Sequence, residues 1–283
     1  MIGKVHLRQR SQQLLRFLTT MDTNKPFLRV ASVLPSATEI LCAIGGEKLL
    51  VGRSHEDNYP QSIVHLPPLT DQLISREWTS AKEVDSEVSA ALSSGRSLYF
   101  LDTELLSSLK PDLILTQDLC SVCAIDLAEV RKVASSMQPE PRVLSMNPLS
   151  LEEVIACCTT LGDAVGLPKE AWKTRFALEK RVERAKTIAA ELLASGSAPR
   201  VKVAFIEWSD PIYVGGHWTP QLISFAGGYH TLNPSNDGVP GSYVQVGGAG
   251  KSFPVTPEAV VASDPDVIIV CPCGLPLNIP VCC

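Results

Sequence analysis

PDLILTQDLCSVC, residues 111–123, decides the architecture of this chain. A short apolar run, Leu113 to Leu115, breaks at once into a polar loop carrying two thiols, Cys120 and Cys123. The same design recurs twice: Val201 to Ile206 leads into Glu207, Trp208 and Asp210, and Val267 to Val270 leads into Cys271 and Cys273. Continuous β-branched runs that end in polar chemistry are the mark of buried parallel strands. In open α/β sheets, ligands lie off the carboxyl ends of such strands. The pattern therefore predicts a cleft lined by several strand-end loops.

Outward from this stretch, strands and helices alternate. Arg29 to Val33 reads as a first strand, followed by Ser36-Ala-Thr-Glu39 as a capping box opening a helix that stops at Gly45-Gly46. Leu49 to Val51 is a second strand, with the polar loop Ser54 to Pro60 after it. Asp102 caps a short helix through Leu109, Asp126 to Ser136 is helical, and Arg142 to Ser145 is a strand. Ser150-Leu-Glu-Glu153 is a second capping box. Pro168 to Leu193 then reads as one long helix of about 38 Å, with Trp172, Phe176, Leu178, Val182, Ala185 and Ala189 as its apolar stripe.

The expected fold is α/β, with two β/α lobes of parallel-type sheet joined by that one long helix. The expected boundaries are an extension over 1–28, a first lobe over 29–149, a helical spacer over 150–197 and a second lobe over 198–283. The second lobe reads as incomplete, since LPLNIPVCC after Gly274 supplies no further β/α unit.

The composition, 45% hydrophobic and 19% charged, is that of a globular chain able to bury a large core. A net charge of -5 argues against a nucleic-acid backbone as partner. No apolar run reaches the roughly 20 residues of a membrane span. Eight of the nine cysteines fall in four adjacent or near-adjacent pairs with Cys42 alone, and the total is odd, unlike a spread disulfide framework. A reducing compartment follows, and the expected location is the cytoplasm. Residues 1–21 contain Lys4, Arg8, Arg10 and Arg16 with no acid before Asp22, which gives mitochondrion or plastid as the alternative.

No Gly-x-Ser-x-Gly elbow, Walker loop, H-E-x-x-H or dinucleotide fingerprint is present, so no enzyme is expected. Cys120-x-x-Cys123 has three readings: half of a metal site, a redox pair, or thiols that line or pack. Zinc takes about four ligands, and Cys271 and Cys273 at another strand end would complete a thiolate set for zinc or a similar soft ion. Cys42, Cys157 and Cys158 sit within helices and read as packing.

Six segments in order resemble the helical-backbone (class III) periplasmic-type binding proteins, in particular their cobalamin-binding branch. They are SVLPSATEI (32–40), LVGRSHEDNYP (50–60), LPPLT (66–70), PDLILTQDLCSVC, FIEWSDPIYVGGHW (205–218) and VIIVCPCG (267–274). The resemblance implies two lobes on a rigid helix, with a corrinoid such as cobalamin held in the cleft between them. Where relatives of this branch carry SHECDYP, this chain has Asp57 and Asn58.

The resemblance and the strand-end logic together name a ligand-binding set: Ser36, Thr38, His55, Tyr59, Gln117, Asp118, Cys120, Cys123, Glu207, Trp208, His217 and Trp218. Trp208 and Trp218 offer flat apolar faces to a macrocycle, and His217 or His55 offers an axial nitrogen. The expected partner is thus a small molecule. The missing secretion signal argues against a transporter partner, and the oligomeric state stays open. The alternative function is an intracellular zinc-type carrier, or a thiol-based cobalamin-processing enzyme acting through Cys120 and Cys123.

Overall fold

The computed structural model describes residues 28–75, 78–118, 125–197, 199–235 and 250–272. Its first sheet has the order β2–β1–β5–β6, all parallel: Leu50–Gly52, Val30–Ser32, Leu113–Thr116 and Arg142–Ser145. Alternate residues of one strand face opposite sides of a sheet. Leu113 and Leu115 accordingly enter one apolar cluster with Leu41, Ile44 and Leu161, while Ile114 enters another with Leu69, Leu106 and Val130. All three are at most 1% exposed. The apolar run is continuous because both faces of β5 are covered.

Helix α1 (Pro35–Ala43) follows β1, but the capping box expected at Ser36 does not form. The helix starts two residues earlier, with Leu34 as its cap position, because Pro35 is already set at the helical φ of a first position. The Leu34 carbonyl accepts from the amides of Ala37 and Thr38. Gly45, at φ 82, ends the helix as expected. Of the excursion between β2 and β5, the sequence reading anticipates only the short helix capped by Asp102. There, β3 (Thr70–Gln72) and β4 (Tyr99–Leu101) pair antiparallel, with α2 (Ala81–Ser93) between them and α3 (Thr103–Ser108) after them. Asp102 caps α3 by accepting from the Leu105 amide at 2.8 Å. Helix α4 (Leu127–Ser136) precedes β6 and is capped by Asp126.

Helices α5 (Leu151–Val165) and α6 (Pro168–Ala194) form a tight antiparallel pair. Ser150 Oγ accepts from the Glu153 amide, and Glu153 accepts from the Leu149 amide at 2.6 Å, a capping box displaced by one residue on its return arm. The long helix touches the first lobe through Thr174, which donates to the Ala43 carbonyl at 3.1 Å. Further along, Lys186 lies 4.0 Å over the Phe225 ring of the second lobe.

The apolar stripe expected on α6 is corrected. Only Ala171 and Ala189 are buried, Leu178 and Val182 are half-buried, and Ala185 is exposed. Trp172 is 59% and Phe176 42% exposed. A helix that bridges two lobes is covered along one narrow line, here 171–178–182–189, and its other flanks stay open.

The second lobe departs from an all-parallel sheet. Strand β7 (Lys202–Ser209) turns directly into β8 (Ile212–Val214), which pairs with it antiparallel, and β10 (Phe253–Val255) continues the antiparallel edge. Strands β9 (Tyr229–His230) and β11 (Val267–Val270) flank β7 in parallel. The core here is small: Ala204, Ile206, Val214 and Val260, joined by Ile212, Leu232 and Val255. Helices α7 (Thr219–Phe225) and α8 (Pro257–Ala262) complete the described lobe. The run Val267 to Val270, expected to be buried, lies at the sheet edge and is 39–55% exposed throughout.

One buried side chain ties the second lobe to the helix pair. Gln221 on α7 is fully buried; its Oε1 accepts from the Leu151 amide at 2.8 Å and its Nε2 donates to Glu152 at 2.7 Å. Gln221→Ala strands both partners, and we expect a loss of about 1–3 kcal/mol in urea unfolding. A loss below the error of the measurement would show that water replaces the amide without cost.

Candidate functional site

Each lobe presents strand-end loops, and the first lobe holds its loops by polar knots. Arg53, just past β2, donates to the carbonyls of Leu66, Ser54 and Val64 at 3.1, 2.8 and 3.1 Å, lacing the loop to its own return. His55 is pinned from two sides. Its Nδ1 lies 2.7 Å from the Thr70 hydroxyl, and its ring lies 5.9 Å from that of Tyr99. Its Nε2 is 3.4 Å from a Glu56 carboxylate oxygen. The ring is therefore fixed in orientation by β3 and β4, the elements that the sequence reading missed.

Tyr59 is 65% exposed at the outer end of the same loop. Ser36 is exposed on the first turn of α1. Gln117 is half-buried and Asp118 exposed at the end of β5, where the Asp118 amide donates to Asn147 at 2.6 Å. Thr38 belongs to the interior: it is fully buried and donates to Asp57 at 2.8 Å. Asp57 also accepts from the Ser54 amide at 2.9 Å, so this carboxylate joins the α1 turn to the 54–60 loop.

Asp57 is 2% exposed, and its second oxygen, Oδ1, has no hydrogen-bond partner among the described residues. Burial pushes its carboxyl above the ordinary value, with Glu39 adding to the push; Thr38, Ser54 and Arg53 pull the other way. Because the folded pKa lies above the unfolded one, the native state holds the proton more tightly. The contribution to stability is full below the ordinary carboxylate range and is lost as pH rises through the folded-state value. Asp57→Asn, with no proton to release, removes this decline. Urea unfolding at a series of pH values from acid to neutral measures it, and an undiminished slope in the variant would refute the assignment.

In the second lobe the site is built on β7 and β8. The register slips between Ile206 and Trp208, a bulge that sets Glu207 apart and re-aims Trp208. Trp208 is half-buried and donates from Nε1 to the Asp210 carbonyl at 3.2 Å. After β8 the chain passes through buried Gly215 and Gly216 to His217, whose φ of 55 is unusual for a side chain other than glycine. The His217 amide donates to the Gly250 carbonyl at 3.0 Å, and its ring lies 5.9 Å from Trp218. Asn233, 6% exposed, closes this knot by donating to the Gly215 carbonyl at 3.1 Å.

Among the described residues, four buried polar atoms around this second knot lack a hydrogen-bond partner: His217 Nε2, His230 Nε2, Thr231 Oγ1 and Ser252 Oγ. Thr116 Oγ1, at the end of β5, is in the same state. Burial holds the His230 imidazole below its ordinary pKa, which favours the neutral ring. Native proteins leave few such atoms, and a bound polar guest is one account of them. The lobes approach each other beside this region, where α2 lies against β7 and Asp210 adds to the burial that raises the Asp85 carboxyl.

Cys120, Cys123 and Cys273 lie outside the described residues. Cys271 is exposed, its amide continuing the β11 ladder to the Ile206 carbonyl at 2.8 Å. Among the described residues no group of three or more His, Cys, Asp or Glu is placed to hold a metal ion. Cys157 and Cys158 are buried as expected of packing thiols, and burial pushes Cys157 up to about 11. The sequence reading passed over Thr70, Tyr99, His230, Asn233 and Ser252. Thr70, Tyr99 and Asn233 work through partners distant in sequence, so no local motif marks them.

Two strand-loop lobes on a bridging helix pair define the class of the bilobal solute-binding proteins, and sequence comparison agrees. The family model described as periplasmic binding protein matches residues 30–275, and the chain belongs to that family. Its members are binding proteins and not enzymes. No curated protein matches the sequence significantly.

Among solved structures, the periplasmic vitamin B12 binding protein BtuF of Vibrio cholerae is 21% identical, with a TM-score of 0.56, over 87% of this chain and 76% of that one. A periplasmic heme-binding protein from Pseudomonas aeruginosa is 19% identical, with a TM-score of 0.62, over 89% and 74%. The periplasmic heme-binding protein RhuT from a Roseiflexus species is 19% identical, with a TM-score of 0.59, over 86% and 76%. These likenesses establish the fold. The family also overturns the expected cytoplasmic location and its organellar alternative, since its proteins are extracytoplasmic solute-binding proteins. No helix among the described residues is long and apolar enough to cross a membrane.

Proposed function

We propose that this chain captures a corrinoid or a related tetrapyrrole in the cleft between its lobes and presents it to a membrane transporter. The observation that carries the reading is the second-lobe knot. Trp208 and Trp218 are half-buried, and the Trp218 ring lies 5.9 Å from that of His217, whose buried Nε2 has no hydrogen-bond partner among the described residues. Flat indole faces suit the edge of a macrocycle, and an imidazole nitrogen held in a strained backbone suits a central metal or a polar substituent. His55 and Tyr59 of the first lobe would supply the opposite wall, with Ser36, Gln117 and Asp118 as polar contacts. Affinity would come from burial of the ligand's apolar surface, and the polar groups would set its orientation.

The vitamin B12 and heme proteins of similar fold support this ligand class. A protein described as an ABC transporter substrate-binding protein from Listeria monocytogenes is also of similar fold, which supports the transporter as partner.

Titration with cyanocobalamin, cobinamide, hemin and zinc chloride, read by tryptophan fluorescence and visible absorbance, tests the proposal. Saturable quenching by a corrinoid or by hemin is expected. Trp218→Ala should weaken that binding about tenfold, near 1.4 kcal/mol. Saturation by zinc alone would overturn the reading.

A further inference from the structure

We propose that the outward face of α6 is a docking surface for anionic lipid bilayers. The helix presents Lys169, Lys173, Phe176, Lys180 and Arg184 at spacings of four, three, four and four residues, all of them exposed. Such spacings place them on one face, opposite the buried line of Ala171 and Ala189, over a length of about 22 Å.

Two of the helix's acids are engaged by bases off this face, and exposed Glu170 is turned about 100° from Lys169 by the helical period. Glu179 is paired with Arg175 at 2.7 Å and Glu183 with Lys186 at 3.0 Å, both bases on other flanks. No ion pair holds Lys169, Lys173, Lys180 or Arg184 among the described residues, although the whole chain carries a net charge of -5. The face is a local positive strip on an acidic protein.

Beside the strip, two aromatic rings stand in solvent. Trp172 and Phe176 stack with centroids 5.2 Å apart and planes 9° from parallel. Lys180 Nζ lies 4.6 Å over the Phe176 ring. Positive charge carried along one exposed helix face complements an extended anionic surface. Aromatic rings flanked by lysines sit well at the interface of a bilayer, the rings at headgroup depth and the ammonium groups among lipid phosphates. Each basic side chain near an anionic membrane strengthens binding by roughly fivefold.

Sedimentation of the full chain with vesicles of phosphatidylcholine alone, or mixed equally with phosphatidylglycerol, tests this. Binding is expected only to the mixed vesicles, with loss at high salt. Lys169→Gln, Lys173→Gln, Lys180→Gln and Arg184→Gln combined should abolish it and leave the unfolding midpoint unchanged. Brominated phosphatidylglycerol supplies a second readout that needs no charge variant: it should quench fluorescence in the native protein and fail to quench in Trp172→Phe. Failure to sediment with mixed vesicles would overturn the proposal and turn attention to an acidic protein partner. So would sedimentation that survives the fourfold variant, or quenching that survives Trp172→Phe.

Discussion

Gly216→Val is expected to abolish saturable binding of both cyanocobalamin and hemin and to lower stability by about 3 kcal/mol. A Cβ at this position would sit against the Ser252 amide nitrogen, 2.6 Å from the Lys251 carbonyl carbon and 2.8 Å from the Gly250 oxygen. All three are backbone atoms, so no rotamer change relieves the overlap. Segment 250–252 must move away, which breaks the His217 bond to the Gly250 carbonyl and loosens the Asn233 bonds to Gly215 and Gly250. The knot that aims His217 and Trp218 then comes apart. Gly215→Ala is the milder control, since a Cβ there meets the edge of the Phe205 ring at 2.7 Å, a side chain that can turn. Equal ligand affinity in native protein and Gly216→Val would show that the knot does not position the ligand.

The second large effect is predicted far from the cleft. Gly162 on α5 faces Ala171 on α6 so closely that an added Cβ would overlap the Ala171 methyl and lie 3.0 Å from the Leu167 carbonyl. Gly162→Leu should therefore destabilise by about 4 kcal/mol or more, because both contacts belong to rigid helix and turn. The cause is steric and reciprocal, so it can be isolated. Gly162→Ala alone should cost about 2 kcal/mol. Adding Ala171→Gly should restore most of that, less about 1 kcal/mol for a glycine within a helix. Independent, additive effects in this double-mutant cycle would disprove the close approach. The same contact keeps α5 and α6 near enough to act as one stiff unit between the lobes.

Much of the fold was legible because its signals are local. The strand at 142–145, the helix stop at Gly45, and the caps at Asp102 and Ser150 each depend on residues within one turn. The Ser36 cap was misread because two local signals competed, and the fixed φ of Pro35 prevailed over the serine hydroxyl. The α6 stripe was misread because helical period reports which residues share a side, not which side another element covers. The exposed Val267–Val270 strand fails for the same reason: a run of β-branched residues encodes a strand, but not what lies beside it.

The candidate site divides along the same line. Chain order alone placed His55, Trp208, His217 and Trp218 at strand ends, since a strand that stops in polar residues marks its own carboxyl end. What tertiary structure added is how each is held: Thr70 and Tyr99 on His55, Asn233 and Gly250 on the 215–217 turn, and Asp57 taking Thr38 into the interior. By itself the sequence determined the succession of elements and the side chains at their ends, because propensity, capping and periodicity act over a few residues. Only the folded chain decided which of those side chains are buried, paired or left facing solvent. Packing and hydrogen bonding join residues tens of positions apart, as the bonds from Gln221 to Leu151 and Glu152 show, and no local pattern records them.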